Sequence, residues 1–152
     1  MAEKYLEKAM AFAKAAHGDQ KYGDKPYLYH LLKVAKVATR YGGNEFQTVC
    51  CLLHDVLGDT DVSFSELAKA FSPQVAVIVG MVTNKPSKEE TFKIIRENKN
   101  AVFVKLCDRI ANCEAGNKNN KYKKEYPIFK KILYRPGEFE EMWKHLNYLL
   151  TD

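Results

Sequence analysis

No stretch of this 152-residue chain approaches the roughly 18 consecutive apolar residues that a membrane-spanning helix needs, so no segment is expected to cross a bilayer. The opening run Met1-Ala2-Glu3-Lys4-Tyr5 lacks the basic-then-apolar layout of a secretory signal, and the expected compartment is the cytoplasm. Cysteine is scarce, and the four that occur (Cys50, Cys51, Cys107, Cys113) show neither CxxC zinc spacing nor the pattern of a secreted disulfide framework. They read as buried free thiols. Internal repeats, low-complexity tracts and linkers are also missing. The length fits one domain over 1–152.

What is present is helical periodicity nearly throughout, with 46% hydrophobic residues. Tyr5, Leu6, Ala9, Met10, Phe12, Ala13 and Ala16 form an amphipathic stripe that ends at His17-Gly18. Gly18 to Pro26 reads as a loop. A second helix is expected from Tyr29 to Tyr41, stopped by Gly42-Gly43, and Asn44 caps a third whose buried face includes Phe46, Val49, Cys50, Leu53 and Val56. Ser63…Glu66 and Ser87…Glu90 are capping boxes, and Ser72-Pro73 opens a helix with proline in its first turn. Ala101 to Leu106 suits either a buried strand or a helix. The continuation to Gly116 favours the helix, because a lone strand would leave its backbone groups unsatisfied. Helices around Tyr122 to Leu133 and from about Gly137 to Leu150 complete an all-α bundle. Apolar residues in these last two (Tyr126, Ile128, Phe129, Ile132, Leu133, Phe139, Trp143, Leu146) suit either the core or a face between two copies, so a homo-oligomer stays open.

Charge is unevenly spread. The net charge is +5, yet Asn117 to Arg135 holds seven basic residues (Lys118, Lys121, Lys123, Lys124, Lys130, Lys131, Arg135) against Glu125, a net of +6. Such a stripe suits an anionic partner, either a polyphosphorylated small molecule or nucleic acid, or simply a solvated face.

Two acidic positions stand out because each closes a strongly apolar segment. His54-Asp55 follows Cys50-Cys51-Leu52-Leu53, and Asp108 follows Val102-Phe103-Val104-Lys105-Leu106-Cys107. A buried carboxylate is costly unless it is paired or bound to a cation, and an ion shared with histidine removes that cost. Adjacent helical side chains point about 100° apart, so His54 and Asp55 can serve one ion only at a helix end or with the ion between them. A mixed nitrogen and oxygen set suits Mn²⁺, Fe²⁺, Co²⁺, Zn²⁺ or Mg²⁺ without choosing among them.

The runs His17-Gly18-Asp19-Gln20-Lys21 with Pro26-Tyr27-Leu28-Tyr29-His30, Leu52-Leu53-His54-Asp55-Val56 with Asp59-Thr60, Phe71-Ser72-Pro73-Gln74-Val75 with Val79-Gly80-Met81-Val82-Thr83, and Lys105 to Asn112 resemble, in order, the hydrolase domain of RelA/SpoT-type alarmone enzymes. The resemblance covers about residues 5 to 115 and, with no synthetase region attached, is that of a small stand-alone hydrolase. It implies a helical HD fold, one divalent metal (commonly Mn²⁺) on His30, His54, Asp55 and Asp108, and a guanosine polyphosphate as substrate. Asn112 matches a substrate-contacting position and Lys21 one that usually carries arginine against the base. His17 matches a loop anchor, whereas His145, outside the motifs, is expected on the surface.

Two departures qualify this. The usual glutamate of the acidic pair is Gly58, which leaves Asp59 alone to handle the attacking water, and loss of a general base commonly costs on the order of 10²- to 10⁴-fold. Leu31 replaces a proline after His30 and is expected to alter how that helix begins. Action on another phosphorylated nucleotide, or nucleotide binding with weak turnover, therefore stand beside 3′-pyrophosphate hydrolysis, with nucleic acid an outside alternative.

Overall fold

The computed structural model describes residues 2–116 and 119–151. Lys118 of the basic stripe lies outside the described residues. The elements are α1 (Ala2–His17), β1 (Lys21–Tyr22), β2 (Lys25–Pro26), α2 (Tyr27–Arg40), α3 (Glu45–Leu53), α4 (Val56–Asp59), α5 (Phe64–Ala70), α6 (Pro73–Val82), α7 (Lys88–Ile95), α8 (Lys99–Ala115), α9 (Asn119–Leu133) and α10 (Glu140–Leu150). The fold is all-α, as the periodicity implies. No helix among the described residues is long and apolar enough to cross a membrane.

The ambiguous apolar segment is helical and central. α8 buries Ala101 through Ala111 without interruption, and α2, α3, α6, α7, α9 and α10 all pack against it. A helix that is buried on nearly every side, its charged Lys105, Asp108 and Arg109 included, requires such a shell. Asn98 caps its start through Asn100 and Ala101, and Gly116 (φ 80°) ends it in the left-handed region open to glycine. Phe129, Ile132, Leu133, Trp143 and Leu146 are buried in the same core, so the C-terminal helices complete it.

The capping signals at Asn44, Ser63 and Ser72 operate as expected, those at Asn44 and Ser63 as reciprocal boxes. At Ser87 the hydroxyl accepts from Glu90 N, and this helix start is not a reciprocal box. Four expectations need correcting. Gly18 to Pro26 is not wholly loop: Lys21 pairs with Pro26 and Tyr22 with Lys25, because Gly23 (φ 63°) turns the chain within two residues. Strands this short leave no periodicity to read. α2 starts at Tyr27, two residues early, directly after Pro26, and Leu31 is fully buried within it, so the proline-to-leucine change does not touch the helix start. α3 stops at Leu53, and buried Val56 begins the separate α4. His145 is not a free surface residue. Its Nδ1 lies 2.6 Å from the Tyr41 hydroxyl and its Nε2 3.6 Å from Glu114, tying α10 to α2 and α8.

Gly43 marks the tightest approach. A Cβ there would sit 2.9 Å from the Ala38 carbonyl oxygen and 2.9 Å from the Phe103 ring, whereas at Gly58 it would meet only Thr83 Cγ2, at 3.3 Å. Gly43→Ala is therefore expected to destabilise by about 1–3 kcal/mol and Gly58→Ala to stay within about 0.5 kcal/mol. Urea unfolding midpoints check this, and equal midpoints for the two variants would contradict the packing described.

Candidate metal centre

Three segments far apart in sequence meet at one point. His30 is on the second turn of α2 and is buried. His54 sits just past the last residue of α3, and Asp55 (φ −100°, ψ 0°) breaks the helix before α4 restarts. That break is the helix end that two adjacent ligands require. Asp108 comes from the middle of α8.

His30 Nε2 lies 3.1 Å from Asp108 Oδ1, His54 Nε2 3.2 Å from the same oxygen, and His54 Nε2 2.9 Å from Asp55 Oδ2. Donor atoms from His30, His54 and Asp55 all fall within 4.8 Å of one another. Atoms on adjacent corners of a coordination sphere ~2.1 Å in radius stand about 3 Å apart, which matches these spacings.

The tautomer of His54 shows what the cluster needs. Its Nδ1 donates to the Cys51 carbonyl oxygen at 2.7 Å, and a carbonyl can only accept. In the neutral ring Nε2 would carry a lone pair; this atom is buried, makes no well-directed hydrogen bond among the described residues, and faces two carboxylates. Three electron-rich groups so placed repel unless positive charge lies among them. Burial would depress the His54 pKa, yet Asp55 and Asp108 outweigh it and hold the imidazole well above its ordinary range. Burial likewise would raise Asp108, but His54, His30 and Lys105 hold its carboxyl well below the usual range. The site attracts cations, and its donor set fits a divalent metal.

The surrounding residues fix the donors in place. Tyr27 donates its hydroxyl to Asp55 Oδ2, and burial and that carboxylate push its pKa upward. Lys105, buried one turn before Asp108, lies 3.7 Å from Asp108 Oδ2, and its pKa is lowered by desolvation. Asn112, one turn after, donates to Asp108 Oδ1 at 3.0 Å and accepts at 2.7 Å from the hydroxyl of Tyr22. The Tyr22 ring is stacked on His30, with centroids 4.4 Å apart and planes 9° apart.

The cluster opens onto a cleft of ≈ 770 Å³ whose lining includes His30, His54, Asp55 and Asp108 together with Lys21, Asp59 and Asn112. Every expected site residue thus reaches one cavity. Lys88, Arg109 and Lys121 line it as well. Lys88 has its pKa lowered by burial and by the neighbouring Lys105, Lys121 and Arg109. Arg109 is buried between the Tyr122 and Phe129 rings, each 4.4 Å from the guanidinium, and pairs with Glu125 at 3.2 Å while its Nη1 has no hydrogen-bond partner among the described residues. Of the described lysines in the basic stripe, Lys121 faces the cleft. His17 is 7% exposed and acts within the loop, with Nδ1 2.7 Å from Gln20 Oε1.

Sequence reasoning missed Tyr22, Tyr27, Lys88 and the inward role of Lys105. Tyr27 and Lys105 carried a signal, since each is three residues before a proposed ligand on the same helical face (His30 and Asp108). Tyr22 and Lys88 carried none, because a hairpin and an inter-helix approach place them.

Comparison with known proteins agrees with this picture. The model of the HD domain family matches residues 9–100. Over 118 residues the chain is 31% identical to a guanosine-3′,5′-bis(diphosphate) 3′-pyrophosphohydrolase of Aquifex aeolicus, spanning 70% of this chain but only 17% of that protein. It is also 31% identical, over 121 residues, to the 3′-pyrophosphohydrolase of the same name from Drosophila melanogaster, covering 72% of this chain and 67% of that one. Among solved structures, a metazoan ortholog of SpoT that hydrolyses ppGpp superposes with a TM-score of 0.79 at 22% identity over 95% of this chain and 93% of that one. The Listeria monocytogenes protein lmo0812 superposes with a TM-score of 0.66 at 23% identity, over 84% of this chain and 97% of that one. With the family model covering well over half its length and the paired histidine and aspartate standing where two helices part, the chain belongs to the HD domain family.

Proposed function

We propose that this chain is a cytoplasmic, metal-dependent phosphohydrolase that removes the 3′-pyrophosphate of guanosine 3′,5′-bis(diphosphate) or its pentaphosphate. The observation that carries this reading is His54 Nε2 held between Asp55 and Asp108 in a cleft that Lys21, Lys88, Arg109 and Lys121 also line. The imidazole and carboxylate set suits a divalent cation and the four basic residues a second cluster of phosphates, the combination that a nucleotide phosphorylated at two positions presents. The names carried by the Aquifex and Drosophila relatives support the same substrate.

In this scheme His30, His54, Asp55 and Asp108 hold the ion, with Mn²⁺ the proposed native metal. When bound, such an ion acidifies water and withdraws charge from phosphoryl oxygen. Asp59, on the cleft edge, accepts the proton as water adds to the phosphorus next to the ribose. The ester bond to the ribose 3′ oxygen breaks, pyrophosphate departs, and the proton passes to that oxygen. Lys21 and Asn112 orient the nucleotide. Because the Asn112 carbonyl already accepts from Tyr22, the nucleotide meets these two residues together.

Gly58 is the observation that favours a second reading. It lies on the cleft at the position where a carboxylate is usual, so turnover of a different phosphorylated nucleotide, or binding with little turnover, is the alternative. A substrate panel that detects phosphate and pyrophosphate separately distinguishes them.

Mn²⁺ at a hundred times its dissociation constant is expected to stabilise the protein by about 2.7 kcal/mol, seen as a raised melting temperature that a chelator reverses. Asp108→Asn and His54→Ala should abolish the shift, and a shift that survives in both would remove the metal from these residues. With Mn²⁺ the wild-type protein is expected to release pyrophosphate from the alarmone. Asp59→Asn should lower kcat by on the order of 10²- to 10⁴-fold, and Gly58→Glu should raise it at least about tenfold. Pyrophosphate release by Gly58→Glu alone would show that the native chain is a binding module.

A further inference from the structure

Asp59 is an exposed carboxylate at the end of a four-residue helix, a poor platform for a group that must meet a water molecule at a defined angle. Its side-chain hydrogen-bond partner among the described residues is Gln20, whose Nε2 donates to Asp59 Oδ2 at 3.1 Å across 39 residues of sequence. A carboxylate only accepts, so the Gln20 amide has its nitrogen toward Asp59 and its oxygen toward His17. That oxygen accepts from His17 Nδ1 at 2.7 Å, which places the imidazole hydrogen on Nδ1 and prevents the amide from turning over.

The backbone of Gln20 is held as firmly as its side chain. Its N–H donates to the His17 carbonyl and its own carbonyl accepts from Tyr27 N, both at 3.0 Å. The His17 ring lies 4.6 Å from that of Tyr27, the residue whose hydroxyl reaches Asp55. One buried imidazole thus braces two carboxylates of the cleft, Asp55 through Tyr27 and Asp59 through Gln20.

Building on the hydrolase reading above, we infer that Gln20, clamped by His17, is a positioning residue that holds one carboxylate oxygen of Asp59 and leaves the other to the attacking water. Gly58 makes this role consequential. With no neighbouring glutamate to share the work, the orientation of Asp59 sets how often the proton acceptor is in place.

A double-mutant cycle with Mn²⁺-loaded protein and the alarmone tests it. Gln20→Ala should lower kcat by about ten- to a hundredfold, with KM and the Mn²⁺-induced thermal shift unchanged. In an Asp59→Asn background the same change should cost less than about twofold. His17→Phe, which keeps a ring against Tyr27, should lie between wild type and Gln20→Ala. Losses that multiply across the cycle would overturn the inference. A second measurement needs no turnover: the Gln20 side-chain amide resonances in ¹⁵N–¹H spectra should move, and their protons exchange faster, in Asp59→Ala. Unmoved resonances would overturn the inference even if the enzyme is active. A wild-type protein inert toward the alarmone, but with the Gln20 resonances responding, would instead defeat the substrate assignment and keep the clamp.

Discussion

A histidine nitrogen buried between two carboxylates calls for positive charge, and the fold around His54 is organised to impose that demand. The Cys51 carbonyl takes the Nδ1 hydrogen of His54, so Nε2 meets Asp55 and Asp108 either with a second proton or with its lone pair turned to a cation. Removing one partner from such a buried set leaves charge uncompensated, which is far costlier than losing a surface ion pair. Positive charge relieves the whole set at once. The shifts of His54 and Asp108, in opposite directions from their ordinary values, are the same demand seen from both sides.

Holding such a cluster together requires rigid supports, and these are not equally built. α8 is buried along most of its length and carries Lys105, Asp108 and Asn112 on one face, so that the proposed ligand Asp108 and its flanking cation are held by one helix. The break between α3 and α4 supplies His54 and Asp55 from two successive residues by changing the backbone direction between them. The hairpin is the lightest support. It reaches the centre through Tyr22, whose ring lies on His30 and whose hydroxyl bonds Asn112. A small two-stranded ribbon is marginal alone, so these contacts hold it as much as it holds them.

The cleft also separates two electrostatic tasks. Asp55 and Asp108 gather with the two histidines, whereas Lys21, Lys88, Arg109 and Lys121 line the same cavity as cations. Most of the described lysines of the basic segment are exposed, and among the described residues its contribution to the cleft is Lys121, together with Glu125 and Tyr122, which orient Arg109. The stripe read from charge alone is therefore a helix whose inner edge serves the cavity.

Helix positions, caps and buried faces were legible because each rests on interactions within about four residues: Asn44 with Gln47, Ser63 with Glu66, Ser72 with Val75. The proposed ligands were legible too, since polar groups ending apolar runs at His54-Asp55 and Asp108 are anomalies that sequence exposes, and motif order linked them to His30. What tertiary structure alone decided is everything that acts across long loops of chain. Tyr22 reaches Asn112 over 90 residues, Gln20 reaches Asp59 over 39, and His145 reaches Tyr41 over 104. Local propensity encodes no such distances. They follow from how the helices pack around α8, where shape and buried apolar surface choose which remote side chains become neighbours.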